Sequence, residues 1–265
     1  MKKTYIGLTC LLFLSLALFV ALSFYGDSLE RWHIKTGSFA RVLIGDTTHR
    51  QRTPSPAADS TRAVSQAPGQ DFSQTVDTAR KSILFIGDSM LEGLGPRLAA
   101  YAEENGHTLV NVIWYSSTTE VWGRTEKLKE YIAEYQPDYI FVSLGGNELF
   151  VSDIRDRRQK YLNHILSQIG NIPFVWIGPP NWKPDTGINE MLAETLRPGQ
   201  FYLSYTPDQH YDRARDGAHP TRASASAWMD RVCAWVMKSA AHRIVLHRPK
   251  AARATCHTVV LAPAK

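Results

Sequence analysis

The sequence predicts an α/β fold in which helices cover both faces of a parallel sheet, a three-layer α/β/α arrangement. Four short runs are continuously apolar and rich in Ile, Val and aromatic residues, as is typical of strands buried on both faces. Helical patterns separate these runs, and an alternation of strands and helices predicts a parallel sheet. The predicted strands span residues 82–86, 109–114, 139–144 and 173–178.

The predicted helices rest on apolar residues that recur every three or four positions, which places their side chains on one helix face. A last helix is predicted for residues 221–240. In a parallel sheet covered by helices, reactive groups gather beyond the carboxyl ends of the strands. The helical patterns are carried by Leu91, Leu94 and Leu98; by Leu128, Ile132 and Tyr135; by Tyr161, Ile165 and Ile169; and by Trp228, Val232 and Trp235.

The N-terminal segment is predicted to be a membrane anchor. Residues 5–25 contain no charged side chain, and about twenty apolar residues are enough to cross a bilayer. Lys2 and Lys3 before the segment and Asp27 after it place the N-terminus inside and the rest of the chain outside. A cleaved signal peptide is the alternative, because residues 21–23 resemble a small-x-small cleavage site, although the apolar run is longer than usual. A soluble core helix is a third interpretation.

Four segments follow from these patterns. Residues 1–25 are the predicted transmembrane anchor or signal peptide. Residues 26–80 are rich in Ser, Thr, Pro, Ala and Gln, which predicts a disordered stalk behind a short juxtamembrane helix. Residues 81–242 form the predicted α/β domain, and residues 243–265 are assigned to a C-terminal tail that no pattern explains.

Charge and cysteine content limit the function classes. The net charge is +5, but Lys and Arg are scattered rather than clustered in runs, which argues against a nucleic-acid partner. A membrane surface or an acidic glycan remains compatible with this mild excess. Cys233 and Cys256 lie outside the apolar segment and form either one disulfide or two free thiols. Neither phosphate-binding motif, G-x-x-x-x-G-K or G-x-G-x-x-G, is present.

Two polar residues follow predicted strands directly. Ser89, in "FIGDSMLEG", comes after the first strand and before a helix. Asn147, in "VSLGGNELF", comes after the third strand. Each residue also suits an ordinary turn, because Asp, Ser, Asn and Gly favour turns and helix caps. If the two residues act together at one sheet edge, Ser89 is predicted to be a nucleophile. Asn147 is then predicted to be an amide donor to the negative charge that develops during the reaction.

The loop "ARDGAHPTRASASAW" supplies a histidine and an aspartate just before the last helix. A turn followed by a helix start explains Asp216 and the neighbouring Gly and Pro, but gives no reason for His219. A general base oriented by a carboxylate explains both residues. Of the other histidines, His210 is predicted to be a surface-loop residue, and His107 and His164 lie on or near helices.

Taken together, Gly87-Asp88-Ser89, Gly-Gly-Asn147-Glu148 and Asp216-Gly-Ala-His219-Pro resemble the SGNH (GDSL-type) hydrolase superfamily in order and approximate spacing. The resemblance covers roughly residues 81–240 and agrees with a flavodoxin-like parallel sheet. It implies that Ser89 is the nucleophile, that His219 is the base and that Asp216 orients it. It also implies that the N–H of Ser89 and the amide of Asn147 bind the oxyanion, with no cofactor and no metal.

One block departs from the family pattern. A glycine is usual after the second strand, where its N–H serves as a third oxyanion donor. Here the stretch is "IWYSSTTEVWGR", so Thr118 or Ser117 stands at this place, and Thr118 is predicted to be the donor. Glu148 replaces the commoner Asp after the asparagine and is predicted to be structural.

The resemblance and the anchor together imply an envelope enzyme. Superfamily members outside a bacterial inner membrane often remove or add O-acyl groups, mostly acetyl, on carbohydrates. The expected location is therefore a single-pass protein of the inner membrane with its catalytic domain in the periplasm. Transfer would imply an integral-membrane acyl exporter as a partner. Trp122 and Trp182 lie in predicted loops with polar neighbours, and both are predicted to be exposed and to bind sugar.

Other functions remain open on the sequence alone. A non-catalytic binding protein on the same fold would not depend on Ser89. A metal-dependent hydrolase would need more ligands than Asp216, His219 and His210 offer at their spacing. A nucleotide-binding α/β domain lacks its motif.

Overall fold

The computed structural model describes residues 75–262. The predicted membrane anchor, the juxtamembrane segment and most of the stalk lie outside the described residues. Within residues 75–262 there is no helix whose length and hydropathy would allow it to cross a membrane.

Strands and helices alternate along the chain, as the sequence predicts. A short 3₁₀ turn, Gly146–Glu148, follows the third strand. In chain order the elements are β1 (Ser82–Gly87), α1 (Leu91–Glu104), β2 (Thr108–Trp114), α2 (Thr119–Gly123), α3 (Lys127–Tyr135), β3 (Tyr139–Ser143), α4 (Ile154–Ile169), β4 (Phe174–Ile177), α5 (Ile188–Thr195), β5 (Phe201–Tyr202), α6 (Arg222–Ser239) and β6 (His257–Leu261).

The six strands form one sheet in the order β5-β4-β3-β1-β2-β6. Every neighbouring pair is parallel. The first five strands therefore have the flavodoxin-like order 2-1-3-4-5, and β6 extends the sheet beyond β2. The parallel α/β architecture predicted from the sequence is confirmed.

Alternate side chains of β1 enter two separate cores, because successive residues of a strand point to opposite faces. Ile83 and Phe85 pack in a core that contains the apolar faces of α1 and α6. Leu84 and Ile86 pack in a second core with residues of α2, α3, α4 and α5. Helices thus cover both faces of the sheet.

Gly87 ends β1 at a point where a side chain has no room. A Cβ on this residue would lie 2.3 Å from the carbonyl oxygen of Ser143 on β3 and 2.5 Å from a methyl group of Leu91. Glycine therefore allows the chain to turn tightly between β3 and α1. This turn carries Ser89.

The C-terminal segment differs from the prediction of a separate tail, and the domain extends past residue 242. Asp77 exchanges backbone hydrogen bonds with Arg243 and Val245 at 2.8 and 2.9 Å. Ile244 and Leu246 are buried in the core that contains α1. Strand β6 pairs with β2 over five residues. The tail assignment is wrong because these short apolar stretches are completed by pairing with distant strands, which no local pattern reveals.

Candidate active site

Ser89 lies in a tight turn between β1 and α1. The backbone N–H of Asp88 donates to the Ser143 carbonyl oxygen on β3 at 3.3 Å, which ties the turn to the neighbouring strand. The Asp88 carboxylate accepts the N–H of Met90 at 3.0 Å. The N–H of Ser89 donates to no residue of the described range. Ser89 thus presents both its hydroxyl and a free N–H at the carboxyl edge of the sheet.

His219 connects Ser89 with Asp216. Its Nε2 lies 2.7 Å from Ser89 Oγ, and its Nδ1 lies 2.7 Å from Asp216 Oδ2. A carboxylate only accepts hydrogen bonds, so Nδ1 carries the proton and Nε2 is left to accept the serine proton. The structure thus joins the three residues in the order that the sequence predicts.

Backbone groups of the same loop hold the Asp216 carboxylate. Its Oδ1 accepts the N–H groups of Ala218 at 2.9 Å and of His219 at 3.0 Å. The hydrogen bond from the His219 side chain, aided by these two N–H groups, lowers the pKa of Asp216 to about 2. Asp216 is therefore ionised throughout the neutral and mildly acidic range. Its side chain is 51% exposed, so solvent screens its charge.

Arg213 holds the loop that carries Asp216 and His219 in place, a role that the sequence did not reveal. Its guanidinium donates to the carbonyl oxygens of Ala218 at 2.8 Å and of Asn181 at 3.1 Å, and also to that of Pro180. The N–H of Ala214 donates to the His219 carbonyl oxygen at 2.8 Å. One arginine therefore fixes the loop that carries His219 against the loop after β4.

The loops after β2 and β3 meet at Asn147. Its Nδ2 donates to the Ser117 carbonyl oxygen at 3.0 Å and lies 3.4 Å from Asp88 Oδ2. Thr118 follows Ser117 and caps α2, because its Oγ1 accepts the N–H of Val121 at 3.1 Å. Within residues 75–262, the backbone N–H of Thr118 has no acceptor. The three predicted oxyanion donors thus come from neighbouring turns, although their shared role stays a prediction.

Asp88 is another residue whose place in the site the sequence does not reveal, because its pattern suits an ordinary turn. It is 1% exposed, and burial raises its pKa to about 7. Its immediate neighbours are Ser89 along the chain and Asn147 across the turn. A carboxyl group that titrates near neutrality therefore lies directly behind the candidate nucleophile, and only burial, not the sequence motif, identifies it.

Glu148 has the structural role predicted for it. Its buried carboxylate accepts the N–H and the hydroxyl of Thr119, each at 2.8 Å, and the Nε–H of Arg158 at 2.7 Å. Burial raises the pKa of Glu148 despite these hydrogen bonds. The residue fastens the Asn147 turn to the start of α2.

The prediction that Trp122 is exposed and binds sugar is wrong. Its side chain is fully buried in the core beneath α2. The indole N–H donates to Ser117 Oγ at 3.0 Å, and the ring packs edge-on against Trp114. Polar neighbours in sequence did not predict its direction, because Trp122 lies on the inner face of a short helix. It supports the Ser117 turn from inside.

Trp182 is partly buried in the loop after β4 and lines a cavity of that loop, not the one that contains Ser89. Its indole N–H donates to the Gly146 carbonyl oxygen at 2.9 Å, next to Asn147 in the chain. The ring contacts Phe150 edge-on, and the Lys183 ammonium lies 4.6 Å from its centre. Its predicted contact with sugar stays a prediction.

Ser89, His219 and Asp216 share one open cavity of about 590 Å³. Glu92, Arg222 and Arg253 also line it. Within residues 75–262, no group of three or more His, Cys, Asp or Glu side chains is arranged to hold a metal ion. Cys233 and Cys256 are free thiols, so the disulfide alternative is not formed.

Comparison with known proteins gives similarity to solved structures alone. No family model and no curated protein matches the chain. A psychrotrophic esterase, EstA from Pseudoalteromonas sp., is 17% identical over 59% of this chain and 97% of its own, with a TM-score of 0.44. A lipase/acylhydrolase from Enterococcus faecalis is 17% identical over 58% and 95%, with a TM-score of 0.45. The salicylyl-acyltransferase SsfX3 from a tetracycline biosynthetic pathway is 16% identical over 60% and 55%, with a TM-score of 0.41.

In this chain Ser89, His219 and Asp216 form a continuous series of hydrogen bonds at the carboxyl edge of a parallel sheet. This arrangement can activate Ser89 as a nucleophile, with His219 as the base and Asp216 holding the histidine in place.

Proposed function

We propose that this protein is a serine-dependent ester hydrolase or acyltransferase that works through an acyl-enzyme intermediate. The observation that carries the proposal is the continuous hydrogen-bonded path from Ser89 Oγ through His219 to Asp216, with both links at 2.7 Å. A serine hydroxyl is a weak nucleophile until a neighbouring base removes its proton, and this path supplies that base.

In the first half-reaction, Ser89 Oγ attacks the ester carbonyl carbon while His219 Nε2 takes the serine proton. Asp216 stays ionised and stabilises the imidazolium that forms. The negative charge on the carbonyl oxygen is bound by the free N–H groups of Ser89 and Thr118. The amide of Asn147 joins them by exchanging its long, 3.4 Å hydrogen bond with Asp88 for one with the oxyanion. His219 then returns the proton to the leaving alcohol, and the acyl group remains on Ser89.

The second half-reaction decides between hydrolysis and transfer. Water or an acceptor hydroxyl attacks the acyl-enzyme, and His219 takes the proton of whichever group attacks. An acceptor outcompetes water only when the site holds it in place. The open cavity beside Ser89 has room for such an acceptor.

The proposed substrate is an O-acyl group, with acetyl the expected one, on a carbohydrate outside the cytoplasm. The apolar, uncharged stretch at residues 5–25 and the stalk-like composition that follows support a domain held at the outer face of a bacterial inner membrane. The partly buried ring of Trp182 beside the Asn147 turn suits contact with a sugar face. For the transfer reaction, an integral-membrane acyl exporter is the proposed partner.

Hydrolysis of p-nitrophenyl acetate by the full-length chain tests the serine mechanism. Ser89→Ala and His219→Ala should each reduce turnover by at least about 10³-fold. Ser167→Ala and His210→Ala are matched controls on exposed residues outside the site and should retain wild-type rates. Turnover that survives in Ser89→Ala would reject Ser89 as the nucleophile, and wild-type turnover no higher than in these variants would favour a binding protein on this fold.

An added oligosaccharide separates transfer from hydrolysis in the same assay. Acylated sugar that forms with the wild type and not with Ser89→Ala would identify a transferase. Free acetate alone, at a rate that the sugar does not alter, would identify a hydrolase.

A further inference from the structure

Two arginine residues line the cavity that contains Ser89 and take no part in the proposed acyl transfer. Arg222 is the first residue of α6, three positions after His219, and Arg253 lies in the C-terminal segment before β6. Both residues are exposed. They belong to segments that are well separated in the sequence, so the fold brings two positive charges to one site.

The loop before α6 fixes the position of Arg222. The preceding residue, Thr221, donates its N–H to the Asp212 carbonyl oxygen at 2.7 Å, and its Oγ1 accepts the N–H of Ser224 at 3.2 Å. The first turn of α6 contains no acidic side chain. A positive charge at the start of a helix opposes the helix dipole, so the stability of α6 does not account for Arg222.

A buried arginine holds the segment that carries Arg253. Arg97 is 4% exposed, and its Nη1 donates to the carbonyl oxygen of Ala252 at 3.1 Å. On the other side of Arg253, the N–H of Ala254 donates to the Pro96 carbonyl oxygen at 2.9 Å. Both neighbours of Arg253 are therefore fixed to α1, which keeps its side chain at the edge of the cavity.

The carboxylates that line this cavity have partners of their own. Asp216 is held by His219, and the Glu92 carboxylate accepts the hydroxyl of Tyr115. Within residues 75–262, neither of the two guanidinium groups lies within ion-pair distance of a carboxylate. Arg253 donates one long hydrogen bond, at 3.4 Å, to the Glu92 carbonyl oxygen. The unpaired charge in the cavity is therefore positive.

The chemistry of the cavity favours a carboxylate as the group that these arginines bind. A planar guanidinium binds a carboxylate or a phosphate through two parallel hydrogen bonds. Asp216 and Glu92 line the same cavity and repel a dianionic phosphate more strongly than a singly charged carboxylate. The acetyl group expected in the reaction carries no charge, so the anion belongs to the alcohol side of the ester.

We propose that Arg222 and Arg253 bind a carboxylate on the carbohydrate that carries the acyl group, which makes the substrate an acidic sugar of the uronic acid type. This inference rests on the proposed esterase or acyltransferase function and narrows its substrate. The bound carboxylate holds the sugar in place while its acylated hydroxyl faces Ser89, and such positioning is what allows a sugar hydroxyl to compete with water.

The test compares esters of similar size that differ in charge, with the full-length protein. The value of kcat/KM is measured for 4-acetoxybenzoate, which has a carboxylate on the alcohol side, and for the neutral 4-acetoxybenzamide. The 3-acetoxy isomers place the same groups at a second distance from the ester. Arg222→Gln, Arg253→Gln and the double variant remove the charges. Arg157→Gln is the matched control, because Arg157 is an exposed residue of α4 outside this cavity.

The expected result is a fall in the charged-to-neutral ratio of kcat/KM for at least one pair of isomers. The double variant should lower this ratio by about fivefold or more, each single variant should lower it by less, and Arg157→Gln should keep it. The intrinsic reactivities of the esters cancel when the ratio is compared between variants. Added salt should lower the wild-type ratio, because it screens exposed charges.

Two kinetic outcomes would overturn the inference. Ratios that are unchanged in the double variant, with hydrolysis still dependent on Ser89, would remove the role of the arginines and leave the proposed function standing. A larger effect of the double variant on 4-acetoxyphenyl phosphate than on either acetoxybenzoate would replace the carboxylate by a phosphate.

Direct binding gives a readout that does not need turnover. The esters 4-acetoxybenzoate and 4-acetoxybenzamide are titrated separately into Ser89→Ala by calorimetry. We expect the carboxylate ester to bind more tightly, and to bind about fivefold or more weakly once Arg222→Gln and Arg253→Gln are added. Equal binding of the two esters by Ser89→Ala would refute the role of the arginines, even if the protein were not an esterase.

Discussion

Asp88 gives the sharpest physical prediction, because burial raises its pKa by more than the Met90 N–H and the nearby His219 lower it. Its pKa rises from an ordinary value of 3.8 to about 7 in the folded protein. A group with the higher pKa in the folded state binds more protons there, so stability falls as the pH rises between these two values. Between pH 5 and pH 8 this loss amounts to about 3 kcal/mol, and its last part falls above pH 7, where the group is still half protonated.

The perturbation is Asp88→Asn, which keeps the shape of the side chain and the acceptor for the Met90 N–H. The amide of the variant does not titrate. Its contact with Asn147 differs from that of the carboxyl group, which changes the free energy of unfolding by an amount that does not vary with pH. The wild type should therefore lose about 3 kcal/mol more than Asp88→Asn between pH 5 and pH 8.

Urea unfolding of both proteins at pH 5 and pH 8, followed by tryptophan fluorescence, measures this double difference. Asp208→Asn is the control, because that carboxyl is exposed and its hydrogen bond with Thr206 lowers its pKa. Its removal should not flatten the pH dependence. If Asp88→Asn loses as much stability as the wild type, to within about 0.5 kcal/mol, Asp88 is ionised in the folded protein at pH 5 and the reasoning from burial fails.

Three further predictions concern catalysis and packing. Asp216→Asn should lower kcat for p-nitrophenyl acetate by about 10³–10⁴-fold, because Nδ1 of His219 loses its carboxylate partner; a loss under tenfold would show that Asp216 is dispensable. Trp122→Ala should cost about 3–5 kcal/mol of unfolding free energy through the cavity it leaves, and Trp122→Phe should cost less; equal urea midpoints for wild type and Trp122→Ala would contradict the burial. Arg97→Met should cost about 3–5 kcal/mol, since it removes the ion pair of Arg97 with Asp230 at 2.6 Å and the hydrogen bonds of Arg97 to the carbonyl oxygens of Ala251 and Ala252; unaltered amide hydrogen exchange in residues 251–254 would contradict that role.

The sequence was sufficient for the central part of the fold. Strands β1 to β4 are predicted to within two residues at each end, because strands buried on both faces appear as uninterrupted apolar runs. Strand β5 has only two residues, which are too few to show an apolar pattern in the sequence. Strand β6 is partly exposed at the sheet edge, so its apolar signal is weak. The short helices α2 and α5 were missed for the same reason of length.

The candidate site was predictable where the type of a residue and its place beside a strand or helix both indicated the same role. Ser89, Asn147 and His219 each follow a strand or precede a helix, so topology brings them to one edge. Side-chain direction was not predictable in the same way, and Trp122 was misplaced because a five-residue helix gives no clear face. Asp88 was overlooked because its pKa depends on burial by segments far away in the chain.

The pairing of β6 with β2 has a consequence for synthesis of the chain. Strand β2 gains its second neighbour, β6, only after residues 257–261 have left the ribosome. The pairs among β1, β2, β3 and β4 can form much earlier. Until then the nascent domain presents a strand edge with unpaired backbone groups, the kind of edge that recruits strands from other molecules. Chaperone demand during translation should therefore be concentrated in the interval between the emergence of β2 and that of β6.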